Sequence, residues 1–269
     1  ILFCFKYFNF VSQSTAELLS KFNIFIDAPV FKALLPVGIS FYTFQSLSYV
    51  LDVYRNKTAP EKHLGYYALY VSFWPQLVAG PIERVYLFLP QLRARYTFSA
   101  ERVTSGLRLM LLGMFKKVVI ADQMAIHVNQ VYNHPEDQSG AAFLVATIFF
   151  AILIYCDFSG YTDVARGAAR VMGYDLMENF RAPYLATSIH DFWRRWHISL
   201  STWFRDYVYI PLGGSRGGTK SAIRNVMIIF LVSGFWHGAN WTFLVWGALN
   251  ALYFLPLMLT KHNRVHTDT

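Results

Sequence analysis

Residues 225–260 contain no Asp, Glu, Lys or Arg, and a single ionisable side chain of note, His237, stands in their middle between Trp236 and Gly238. An ionisable group at membrane depth is costly, and where one occurs it usually serves a substrate path or a proton transfer. A neutral imidazole can take the proton of a weak nucleophile as it attacks. The plainer role is one hydrogen bond between helices. A second histidine, His197, lies seven residues after His190, which puts both on one face if the segment is helical. At about 100° per residue, Ile189, Trp193, Trp196, Leu200, Trp203, Phe204 and Tyr207 fall on one side of residues 189–207. His190, Arg194, His197, Ser201 and Arg205 form a separate polar stripe. The pattern predicts one amphipathic helix that lies in the membrane interface or lines a polar cavity.

The remaining reactive types read as structural. Asp157, Asp163, Arg166 and Arg170 gather at one end of an apolar run. Arg166 and Arg170 cannot satisfy each other, so carboxylates elsewhere are expected to pair with them. In GGSRGGTKS, Gly213 and Gly218 have the separation of a phosphate-binding loop, but Thr219 stands at the lysine position and Lys220 arrives one residue late. That run predicts a turn between elements. Gly213-Gly214-Ser215-Arg216-Gly217 spells G-x-S-x-G, but it falls in this same turn rather than between a strand and a helix as a nucleophile elbow requires, and no histidine is followed five residues later by aspartate. Direct transfer aided by a general base therefore fits better than a covalent intermediate. No His-Glu-x-x-His or similar cluster occurs, so no metal is expected. Cys4 and Cys156 lie in apolar runs and read as small buried hydrophobes.

The elements that must carry these groups belong to a membrane. Hydrophobic residues make up 55% of the 269 residues and charged residues 15%, a balance too apolar for a soluble domain. With 18% aromatics the chain is no disordered linker, and collagen, coiled coil and disulfide scaffolds are excluded by composition. Four windows carry no charge: 33–51, 63–82, 138–156 and 225–260. Each approaches or exceeds the roughly 20 residues needed to cross a bilayer. The first span reads LLPVGISFYTFQSLSYVLDVYR from Leu34, and the second, with Pro75, Gly80 and Pro81, is either kinked or re-entrant. Ser99 predicts the N-cap of a helix through Met124, on which Arg108, Lys116 and Lys117 snorkel or face inward. The motif GFWHGANW predicts a break between two final spans. A net charge of +8 comes with no RNA-binding signature, so no nucleic-acid partner is expected. The basic excess of residues 181–224 predicts a cytoplasmic face instead. The opening run ILFCFKYFNF is too short for a signal peptide and suggests an excerpt of a longer chain.

Three strings carry a resemblance: FWPQLVAGPIE, the run from Tyr155 through YCDFSGYTDVARGAARVMGYDLMENFRAPYLATSIHDFWRRWHISLSTWFRDYVYIPLGGSRGG, and GFWHGANWTFLVWGALNALY. They closely resemble the membrane-bound O-acyltransferase family, in its bacterial alginate O-acetylation branch, from about Pro36 to Asn250 and most specifically over 155–241. The resemblance implies an all-α, polytopic transmembrane protein of the bacterial inner membrane, with re-entrant and amphipathic helices around a central tunnel. Residues 1–269 would then be a partial domain, truncated at both ends. The family's buried essential histidine lands on His237 and its second signature position on His197. Asp157, Ser201, Arg194, Trp236 and Asn240 would line the substrate tunnel. Asn250 departs from the pattern, since many relatives have histidine there. The implied reaction moves an acyl group, expected to be acetyl, from a thioester donor to hydroxyls of an exported polysaccharide such as alginate. The donor would be acetyl-CoA or a carrier-protein thioester, with no bound cofactor. Partners would be the lipid bilayer and the polysaccharide, or periplasmic accessory acetyltransferases. The alternative is a transporter or flippase, or a scaffold of an export complex, since broken helices and intramembrane His and Asp are ordinary there too.

Overall fold

The computed structural model describes residues 2–32 and 36–260. The described residues form helices and no strand: α1 Phe8–Ser20, α2 Ile39–Tyr54, α3 Leu64–Ser72, α4 Val85–Arg93, α5 Ala100–Met114, α6 Asp122–Asn133, α7 Gly140–Val171, α8 Ile189–Arg195, α9 Ile198–Phe204, α10 Gly218–His237 and α11 Trp241–Leu259. The start of the first predicted span, at Leu34 and Leu35, lies outside the described residues. The chain divides into two compact units, one of Ile1–Thr43 with Ala182–Thr269 and the other Phe44–Arg181.

In the Phe44–Arg181 unit, α5 begins as expected, with the Ser99 hydroxyl accepting the backbone N–H of Arg102 at 3.3 Å. It runs on through a π-helical stretch, Phe115–Ala121, into α6, past the predicted end. The antiparallel return is α7, whose 32 residues pack on α5 through glycines. A Cβ on Gly113 would meet the Gly160 carbonyl at 2.5 Å, and one on Gly106 would meet that of Gly167 at 2.7 Å. Backbones this close gain dispersion contacts that larger side chains would prevent. The π-helical stretch aims two adjacent lysines at different carboxylates. Lys116 reaches Asp163 at 2.6 Å, while Lys117 reaches Asp157 at 2.7 Å and Asp122 at 2.6 Å. Arg166 pairs with Glu178 at 4.0 Å and Arg170 with Asp175 at 3.4 Å, so the two arginines do find carboxylates elsewhere.

The segment with Pro75, Gly80 and Pro81 is not a kinked span. Helix α3 has nine residues and so rises about 14 Å, well short of the roughly 30 Å hydrocarbon core, and turns follow it. Protein covers this irregular backbone, which needs internal partners. Tyr70 donates to the Glu83 carbonyl at 3.0 Å, Gln76 donates to Gln45 at 3.1 Å, and the Glu83 carboxylate accepts the Met177 N–H at 2.6 Å. Phe73, Phe88, Leu92 and Leu176 pack beside it.

In the other unit, α10 and α11 form a hairpin broken at Gly238–Asn240, where the sequence predicted a break. Helix α10 starts at Gly218, so it includes the charged Lys220 and Arg224 that precede the apolar window. A Cβ on Gly234 would collide with the Phe243 carbonyl, and one on Gly247 with that of Phe230, which brings the two helices together just below the break. Ala222, Val226, Phe230, Ala251 and Met258 make the core of the hairpin, and Trp193 of α8 packs against it. The glycine run 213–218 is a turn, held to α10 by buried Asn225, which donates to the carbonyls of Leu212 at 3.1 Å and Gly214 at 2.9 Å.

Among the described residues two helices, Gly140–Val171 and Trp241–Leu259, are long and apolar enough to cross a membrane, and little of the apolar stretch of either is buried. Cys156 is buried as expected, whereas Cys4 is exposed.

Candidate active site

The expected single amphipathic helix over 189–207 is two short helices. Trp196 is extended (φ −101°, ψ 127°) and His197 is left-handed (φ 44°, ψ 54°), so the chain turns sharply between α8 and α9. A side chain other than glycine held at such a φ costs about 1–2 kcal/mol, which the surroundings must supply. His197 does so by capping α9, its carbonyl accepting the Ser201 N–H at 2.9 Å. The Ser201 hydroxyl reaches back to the Trp196 carbonyl at 3.2 Å. Ser201 thus supports the turn. The turn also separates the two histidines that the periodicity placed on one face. His190 packs against the Phe254 ring, at 6.0 Å between centroids, and burial, then the nearby Arg194 charge, lower its pKa. His197 is turned inward and is only 3% exposed.

His237 is the last residue of α10, where the chain leaves the helix, and the residue reaches the surface of this chain. Its ring lies between those of Trp236, at 4.8 Å, and Trp246, at 5.1 Å. Its Nδ1 is 2.6 Å from the Ser233 carbonyl oxygen. A carbonyl oxygen only accepts, so Nδ1 must carry the proton, and in the neutral ring Nε2 is left with its lone pair. That is the tautomer of a general base whose orientation is fixed by its other nitrogen.

Trp236 joins the two histidines. Its buried indole lies 6.4 Å from the His197 ring and 5.9 Å from that of Phe41. The two imidazoles are near enough to interact electrostatically. Of the other expected tunnel residues, Asn240 caps α11, its Oδ1 accepting the Thr242 N–H at 2.9 Å, and Arg194 is exposed on α8. Asp157 belongs to the Phe44–Arg181 unit, where it pairs with Lys117. Sequence reasoning missed Lys6, whose ammonium lies 5.3 Å over the Trp236 ring. Its signal was available: it is the one charge in ILFCFKYFNF.

Residues 60–268 match the membrane-bound O-acyltransferase family. The chain belongs to that family. It is 44% identical over 250 residues to a protein of Azotobacter vinelandii named probable alginate O-acetylase AlgI, covering 92% of this chain and 49% of that relative. It is 36% identical over 276 residues to a peptidoglycan O-acetyltransferase of Helicobacter pylori, covering 92% and 51%. A teichoic acid D-alanyltransferase of Bacillus subtilis is 28% identical over 227 residues, covering 80% and 57%. The chain thus spans about half the length of the curated relatives it matches. As an acyltransferase-family chain it is membrane-bound, in keeping with the two long apolar helices.

Proposed function

We propose that this chain is part of a multi-pass acyltransferase of the bacterial inner membrane, which moves an acetyl group from a thioester to hydroxyls of an exported polysaccharide. The observation that carries this reading is the His237–Ser233 contact, which leaves Nε2 free to accept a proton. A sugar hydroxyl would attack the thioester carbonyl carbon as Nε2 takes its proton. The tetrahedral intermediate would collapse with cleavage of the C–S bond, and the proton would pass to the departing thiolate. His197, held at the turn beside Trp236, is positioned to donate a hydrogen bond to the developing oxyanion. The donor would be acetyl-CoA or a carrier-protein thioester, meeting the acceptor in a tunnel. Names of relatives support acyl transfer to a cell-surface polymer, and alginate is the first acceptor to try. The acceptor is reached directly or through periplasmic accessory acetyltransferases, and both routes consume the same donor.

The test is to reconstitute the full-length protein in liposomes with labelled acetyl-CoA, or an acetylated carrier protein, and alginate oligosaccharides. Base-labile label on the sugar supports the proposal. Movement of unmodified sugar across the bilayer without acylation would support a transporter and end it.

A further inference from the structure

The carbonyl of Trp236, the residue before His237, lies among the last carbonyls of α10, which have no partner within the helix. Two side chains of the N-terminal segment converge on it. Lys6 Nζ donates to it, and the Tyr7 hydroxyl donates to it at 3.4 Å. The Tyr7 ring also stacks on Phe235, at 4.2 Å and 18° between planes. The ammonium has a second anchor in Ser40, whose Oγ lies 3.2 Å away. Its position over the Trp236 ring adds a cation–π attraction. Among the described residues the partners of the Lys6 ammonium are the Ser40 hydroxyl and the Trp236 carbonyl, so its charge is balanced by neutral acceptors and the negative end of α10. A half-buried cation with neutral partners is expensive to keep, and a cap of the helix alone could be made by a neutral donor.

Resting on the acyltransferase reading, we infer that Lys6 is a positioning residue for His237, which fixes the end of α10 and with it the direction in which Nε2 points. Its two anchors, Ser40 and the Trp236 carbonyl, lie on different elements. The ammonium is therefore a strut between the start of α2 and the residue next to the base. Lys6 also lies close enough to His237 to interact with its charge. Misplacing a reacting group by about 1 Å can cost about 100-fold in rate. A positioning group acts on kcat, because the base contributes only in the transition state.

The experiment uses full-length protein in proteoliposomes, with rates expressed per molecule in the membrane. Lys6→Met is expected to lower kcat about 10- to 100-fold, with KM for donor and acceptor within about twofold. Lys6→Arg keeps the charge and the donors, and should recover most of the rate. Three outcomes would overturn the inference: Lys6→Met at the parent kcat, a raised KM with kcat intact, or fewer molecules each working at the parent rate. His237→Gln is measured alongside. If it acylates at the parent rate, the base assignment has failed; if it is inactive while Lys6→Met is not, only the role of Lys6 has failed.

Discussion

His237 Nδ1 and the Ser233 carbonyl oxygen are 2.6 Å apart on the last turn of α10, so the helix itself sets the tautomer of its terminal residue. The tautomer needs no other side chain, and a substitution at position 237 changes the proposed base while leaving the Lys6 contact with the Trp236 carbonyl in place.

His237→Gln is accordingly expected to leave membrane abundance within about twofold and to lower acyl transfer about 10²- to 10⁴-fold. The amide can donate to a carbonyl but cannot take up a proton at neutral pH. Quantitative immunoblotting with a per-molecule rate checks both parts. A near-parent rate would make His237 a structural residue.

The left-handed turn separates the fates of two histidines. His197→Ala should lose about 100-fold in rate, as when one oxyanion donor is removed, while His190→Ala stays within about twofold. His197→Gly should be as inactive as the alanine variant yet accumulate at least as well, because glycine adopts a positive φ without steric cost. Equal activities of His197→Ala and His190→Ala would remove His197 from the mechanism.

Where α5 and α7 touch, space is decisive. Gly113→Leu puts a side chain against the Gly160 carbonyl and should destabilise the protein by about 1–3 kcal/mol or more. A Cβ added at Gly140, at the start of α7, would meet nothing within 4 Å, so Gly140→Ala should stay within about 1 kcal/mol of the parent. Melting temperatures in detergent compare the two. A melting point for Gly113→Leu equal to that of the parent would mean that this contact does not hold the helices together.

The basic turn should face the cytoplasm. Single cysteines at Ser215 and Thr219, both exposed, are expected to react with an impermeant maleimide only after the membrane is opened. Cys4 is exposed and must first be replaced by serine. Labelling in intact spheroplasts would reverse the orientation.

Much of the architecture was legible because its signals are local. The Ser99 cap, the uninterrupted run from Gly140 into the charged half of α7, and the break at Gly238–Asn240 can each be read from neighbouring residues. The turn at His197 was not. The apolar period continues across it unbroken, and histidine at a positive φ leaves no mark in composition. The His237–Ser233 contact was hidden for another reason: an apolar window gives depth but not which carbonyl a ring nitrogen meets. Lys6 could be singled out as an odd charge, but its partner is 230 positions away, and no periodicity reports such a pairing.

The glycine contacts between α5 and α7 bear on how this sequence can drift. Glycine codons differ only in their third base, so every single-nucleotide change at Gly106, Gly113, Gly160 or Gly167 that still encodes a residue is either silent or adds at least a Cβ where a facing carbonyl already lies within van der Waals distance. No smaller residue exists to serve as an intermediate. Exchange at one of these sites therefore requires a compensating shift of the opposite helix, and the helix pair changes only as a unit.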